Sequence, residues 1–312
     1  MHHTRTGTTD QSGSKGAIGR IHRLRSDQIE AEIWLDRGAR IASLRDVQRQ
    51  YEWMDRPPSD RPLVDNRVGD DFATSPLVGA DECFPTVGAA TLPQGDIPDH
   101  GEVWPRAWDA IDTESAHACV CRCELATLPL TIQRSASVEG ATLRLEYQIE
   151  NRSETATPWL WCWHPLMVMP ENPRLEFEGV RDAFRVESSI GLEPHEVQPL
   201  TKPIASQDAP VRRVDLGASG ATAAKLFASA DPCGDVTLSD VDRGASLRVA
   251  WNGTPITGLG LWINRGGWDG FTHVAIEPTS TPVESVADVP ETDWLAPRAT
   301  VSWCLDLEVA GD

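Results

Sequence analysis

The constraint that most narrows the fold is a period of two. In TLRLEYQIEN, Leu143, Leu145, Tyr147 and Ile149 alternate with Arg144, Glu146, Gln148 and Glu150. Successive side chains of an extended chain point to opposite faces, so this stretch reads as a half-buried strand. LTIQRSASVEG leads into it through a Glu-Gly turn, and the two together predict a hairpin. AEIWLDRGARIASLRD predicts two strands around Arg37-Gly38; ASLRVAWN, GLGLWIN, THVAIEP and TVSWCLDLEV predict four more. No segment of useful length repeats at the helical period, and plentiful Gly and Pro punctuate the strands. Short strands in succession need only short antiparallel connections, so the prediction is all-β: a large antiparallel β-sandwich.

Residues 1–17 read as a disordered tail from their Gly, Ser, Thr and charge content, and residues 18–312 as one sandwich domain. EPHEVQPLTKPIASQDAPVRR reads as a long loop over one sheet. With 47 acidic against 28 basic residues the formal charge is −19, which repels phosphate backbones and anionic membranes; no nucleic acid and no membrane partner is expected. No apolar run approaches the roughly 20 residues of a bilayer span, and the N-terminus lacks the apolar middle of a signal peptide. Cys119, Cys121 and Cys123 of CVCRC share one face of an expected strand, too closely spaced for a tetrahedral zinc site, so a reduced cytoplasmic protein is expected.

Three stretches carry polar groups where chemistry would need them. DHGEVWPRAW brings Asp99, His100, Glu102 and Arg106 between Trp104 and Trp108. His100 and Arg106 suit ligand contact, and Glu102 suits orienting either; the tryptophans either stack on a ligand or close the core. In PWLWCWHPL, alternation sets Trp159, Trp161 and Trp163 on one face, inside a thick sandwich, and His164 on the other. His164 either caps a strand end or faces a site. In THVAIEPTSTP, Glu277 ends an apolar run, so it needs donors, such as Arg265, or a function. Upstream, Asp81 and Glu82 precede a Phe-Pro turn and read as a loop pair, solvated or functional. Histidines, carboxylates, an arginine and aromatics at strand ends form the mixture that sugars demand. His100, Glu102, His164 and Glu277 could instead ligate a metal, but no compact ligand cluster supports this; no metal and no cofactor are expected.

PDHGEVWPRAW, then WCWHP, then VAIEP, in that order, resembles the aldose 1-epimerase family, the galactose-mutarotase-like proteins, over roughly residues 18–310. The resemblance implies a β-supersandwich with a sugar on a concave sheet face. It implies His164 as general acid, Glu277 as general base and His100 as a second contact to the ring oxygen. Arg106, Glu82, Asp81, Glu102 and Trp108 would line the substrate, with Asp269 of RGGWDG as the candidate for the hydroxyl-binding aspartate; the family's upstream Asn and Arg have no clear match here, Asn66 and Arg67 of DNRVGDDF being the candidates. The implied reaction is exchange of the α and β anomers of a hexose or related sugar by acid–base ring opening, in a monomer or homodimer. A non-catalytic sugar-binding or regulatory sandwich is the alternative, and a glycoside hydrolase would want a second persuasive carboxylate. The roles require Glu277 ionised and His164 protonated, and a carboxylate beside an imidazole raises its pKa. No lysine lies near the three stretches in sequence, so an uncharged sugar is expected over a sugar phosphate.

Overall fold

A computed structural model describes residues 19–56, 63–75, 77–112, 117–191, 212–214 and 221–311. Two antiparallel layers face each other. The first carries Ile21–Arg25, Ile29–Trp34, Arg40–Asp46, Ala80–Cys83, Cys162–Pro165, Thr272–Thr279 and Gly258–Arg265 in spatial order. It continues through the first half of Thr222–Asp240 and ends on Arg185–Ile190. The second runs from Asp109–Asp112 through Ala118–Glu124, Leu130–Glu139, Thr142–Asn151, Thr300–Gly311 and Ala245–Asn252. It closes on the second half of Thr222–Asp240 and on Pro173–Val180. The long strand Thr222–Asp240 therefore belongs to both layers: Ser229 still pairs with Gly258, and Cys233 already pairs with Asn252.

The predicted hairpin forms in register, with Val138 opposite Leu143 and Glu139 opposite Thr142. The other strands predicted from alternation are present, but PWLWCWHPL is a strand only over Cys162–Pro165, and Trp159 and Trp161 reach the core from the irregular segment before it. Among the described residues the helical content is three 3₁₀ turns. One apolar cluster fills the space between the layers and contains Trp159, Trp161, Trp163, Tyr147 and Trp303. Trp161 and Trp303 approach to 4.7 Å between ring centres, and Tyr147 stacks on Trp303 at 5.3 Å. Cys119, Cys121 and Cys123 share the buried face of their strand, as the alternation implied. The tail at 1–17 and most of the segment read as a long loop lie outside the described residues; at its end Arg212–Val214 forms a short strand on Pro173–Val180.

One local reading is corrected. Asp81 and Glu82 do not occupy a loop. They lie in the strand Ala80–Cys83, every residue of which is buried. Alternation sends the two carboxylates to opposite faces, and each meets an arginine. Asp81 accepts from Arg40 Nε at 2.7 Å. Glu82 accepts from Arg134 Nη1, the Tyr147 hydroxyl and Trp161 Nε1, each at 2.8 Å. Burial pushes both carboxyls above the ordinary range, and the arginines draw them back only in part. Such a strand does not read as apolar because the charges that make it buriable come from elsewhere in the chain.

Candidate functional site

Sheet register builds a polar row across one face of the first layer. Asp81 pairs with His164, and Cys83 with Cys162. Cys162 pairs in turn with Thr279, which sets Glu277 beside His164. Gly260 lies opposite Glu277, Phe227 opposite Gly260, and Lys225 opposite Trp262. Residues two apart on a strand share a face, so Asp81, His164, Glu277 and Lys225 all project to the same side. Above them opens a cavity of about 280 Å³, near the lower end of the ~300–1,000 Å³ of small-molecule sites. Its lining includes His100, His164, Lys225, Trp262, Trp268 and His273.

The stretch around His100 is pinned by its backbone. His100 N donates to Val87 O at 2.6 Å, and Glu102 N donates to Phe84 O at 2.9 Å. A Cβ at Gly101 would lie 2.2 Å from Phe84 O, and both His100 (φ 59°) and Gly101 (φ 73°) adopt the left-handed conformation. Glycine accepts it without cost; histidine does not, and such strain persists where the surroundings enforce it. The result presents the His100 ring to the cavity, stacked on Phe72 with 3.8 Å between ring centres and 5.1 Å from the His164 ring. Asp99 Oδ2 lies 2.6 Å from His100 Nδ1. An ionised carboxylate only accepts, so Nδ1 carries the proton and Nε2 is left to a ligand.

Glu277 is fully buried. Its Oε2 accepts from Lys225 Nζ and from Cys162 Sγ–H, the latter at 3.6 Å. Its Oε1 has no hydrogen-bond partner among the described residues and lies 3.7 Å from His164 Nε2. His164 Nδ1 is likewise buried without a partner. Burial, with the nearby charge of Lys225 and the rings of His100 and His273, lowers the His164 pKa well below the ordinary value. This overturns the expectation that the neighbouring carboxylate raises it: His164 is uncharged at neutral pH. Burial opposes the charge of Lys225, but Glu277 beside it more than restores it, so the lysine pKa rises.

The depressed histidine has a stability consequence. Above about pH 6.5 neither folded nor unfolded His164 is protonated; below it the unfolded chain takes the proton first. His164 therefore contributes stability that is present above about pH 6.5 and is lost as pH falls toward the folded value. Thermal melts between pH 8 and 5 should show a steeper acid decline for the wild type than for His164→Asn. Parallel declines would refute the depressed value.

The remaining predicted site residues separate into two groups. His100 and His164 line the cavity, and Glu277 lies buried directly behind His164 without lining it. Glu82 lies on the far side of its strand. Glu102 is buried and turned inward, accepting from Arg106 Nη2 at 3.1 Å and from Ala126 N and Thr127 N at 2.8 and 3.1 Å. Arg106 also donates to Glu124 O at 2.9 Å. Trp108 is buried, with Nε1 on Val103 O at 3.2 Å and Arg134 over its ring. These four hold the loop and the core, and are corrected from ligand contacts to scaffold. Asp81 shares the face of His164, but its contact is Arg40 and it does not line the cavity. Asp269 stands exposed in its turn; the neighbouring Trp268 reaches the cavity, clamped by Asn264 through Trp268 O and Trp268 N at 2.9 and 3.0 Å. Asn66 and Arg40 line a separate cavity of about 170 Å³. The metal set is not assembled, because Glu102 faces away; no cluster of three His, Cys, Asp or Glu suited to a metal occurs among the described residues.

Lys225 is the site residue the sequence reading missed, and the expectation of no lysine near the site is wrong. Its signal was a lone cation inside the apolar run ATAAKLFASA. Phe72, Trp262 and Trp268 were missed too; they supply the aromatic wall, with Trp262 Nε1 donating to His273 Nε2 at 2.9 Å.

No protein-family model matches the chain, and no curated protein matches it in sequence. Solved structures do match in fold. The Slr1438 protein of Synechocystis sp. PCC 6803 superposes with a TM-score of 0.70 at 14% identity, over 98% of this chain and 100% of that one. A galactose mutarotase-like protein of Lactobacillus casei gives 0.63 at 17% identity over 93% and 100%. The aldose epimerase homologue of C. elegans gives 0.59 at 12% identity over 94% and 99%. The all-β architecture is thus that of the galactose mutarotase-like proteins.

Proposed function

We propose that this chain is an isomerase of the aldose 1-epimerase type, exchanging the α and β anomers of an unphosphorylated sugar. The observation that carries the reading is the unpartnered Oε1 of buried Glu277, 3.7 Å from His164, which together with His100 and Lys225 lines the cavity. Glu277 takes the proton of the anomeric hydroxyl, the bond from C1 to the ring oxygen breaks, and the ring oxygen receives the electron pair and a proton. Because His164 is uncharged, it serves as a neutral hydrogen-bond donor to the ring oxygen. Delivery of the proton falls to His100 in its doubly protonated form, which gives up its Nε2–H while Nδ1–H stays on Asp99. Rotation about C1–C2 exposes the other carbonyl face, and closure reverses the transfers. Acid and base placement contribute ~10²–10⁴-fold each, which is enough for a reaction already feasible in water.

Phe72, Trp262 and Trp268 offer apolar faces to the C–H side of a sugar ring. Asp71, Asp99 and Glu284 line the same cavity, no arginine does among the described residues, and the lysine there, Lys225, is already paired with Glu277. This lining favours an uncharged ligand over a phosphate. Proton NMR of freshly dissolved hexoses and pentoses tests the reading. Catalysed α-to-β exchange of a free sugar, exceeding that of its 6-phosphate, is the expected result. Sugar binding without any acceleration would leave the non-catalytic reading instead.

A further inference from the structure

We propose that Lys225 is a positioning residue for Glu277: it fixes one carboxylate oxygen, holds the group anionic inside the sheet, and leaves the other oxygen to the substrate. This deepens the reading above and rests on it.

Lys225 and Glu277 stand on strands that are not neighbours; Gly258–Arg265 runs between them. For the ammonium to reach across, the intervening strand must present no side chain there. Gly260 meets that need. A Cβ on it would fall 2.9 Å from Glu277 Oε2, closer than real Cβ atoms pack, and 3.0 Å from Phe227 Cε1, tighter than most do. The Phe227 ring supports the lysine from the other side, its centre 5.2 Å from Nζ. Lys225 and Cys162 both occupy Oε2, so the carboxylate cannot rotate without breaking both contacts. Oε1 is thereby committed to the His164 side.

The groups facing Glu277 are Lys225 from Thr222–Asp240, His164 and Cys162 from Cys162–Pro165, and Cys83 from Ala80–Cys83. Glu284 faces it from a loop, and its carboxyl is pushed up by burial. His100 and His273 face His164. Among these groups Lys225 is the one permanent cation, since Arg40 is engaged by Asp81. A buried carboxylate without a counter-charge takes up a proton. Removing the lysine charge should therefore silence the base at pH values where the wild type works.

The test compares wild type, Lys225→Met and Lys225→Arg. Two readouts are the pH profile of kcat/KM and the NMR titration of the Glu277 carboxyl in chain labelled with ¹³C-glutamate, assigned by its loss in Glu277→Gln. Lys225→Met should lower kcat at least about thirtyfold with KM changed less than about threefold. Its acid limb and its Glu277 titration should both move to higher pH than in the wild type. Lys225→Arg should keep both near their wild-type positions, because the guanidinium still carries its charge to Oε2, while lowering kcat, because its broader planar head displaces the carboxylate in the tight space above Gly260. A folded Lys225→Met with unmoved limb and titration would overturn the proposal. So would a Lys225→Arg variant in which either moves, and this arm stands even where Lys225→Met fails to fold. The titration needs no turnover. A wild type inactive on every sugar would remove the epimerase reading while the carboxyl titration still decides the role of Lys225.

Discussion

Glu277→Gln is expected to lower kcat for anomer exchange by at least about a hundredfold. The amide has nearly the shape of the carboxylate and can still accept from Lys225 through its oxygen. It cannot take a proton from the anomeric hydroxyl, so the loss should fall on kcat and not on KM. Lys225 would be left without a counter-charge, and some loss of stability should accompany the change; circular dichroism at the assay temperature separates that from lost chemistry. His164→Asn should cost a similar factor, since it removes the donor 3.7 Å from Oε1. Near-normal exchange by either folded variant would refute the assignment of the pair.

Arg134→Met should be the most damaging substitution for stability. Arg134 and Glu82 are both fully buried, and the guanidinium also donates to Ala39 O. Breaking such a pair from one side leaves an uncompensated charge and costs about 3–5 kcal/mol. The melting temperature should fall on the order of 10 °C. Tyr147 and Trp161 still donate to Glu82, and burial already favours its protonated form, which holds the loss toward the lower end. Arg134→Met/Glu82→Gln should recover part of it, because removing both charges together avoids the orphaned one. Differential scanning calorimetry reads both. The folded double variant should keep kcat/KM within about threefold, because Glu82 faces the core and not the cavity. A much larger loss would return Glu82 to the substrate.

His100, His164 and Glu277 were legible because each occupies a context that local chemistry makes odd. His164 and Glu277 each stand just before a proline at the end of a strand, and His100 sits before a glycine that the backbone requires. The roles of Arg106, Glu102 and Trp108 were not legible. A polar or aromatic side chain in a loop reads the same whether it touches a ligand or ties the loop to the core. Arg106 and Glu102 pair with each other four residues apart, and only their turn inward reveals it.

By itself the sequence determined the all-β architecture, the hairpin register and the faces of the strands. Alternation is a local property: each side chain's direction follows from its neighbour's, and no distant partner enters. Burial of charge is not local. Asp81 finds Arg40 across 41 residues, Glu82 finds Arg134 across 52, and Lys225 reaches Glu277 across 52. Tertiary structure alone decided that Asp81 and Glu82 are buried strand residues each held by an arginine, that a lysine stands at the site, and that His164 is uncharged. The physical reason is shared: the cost of a buried charge depends on which counter-charge the sheet brings beside it, and that pairing exists only once the layers have formed.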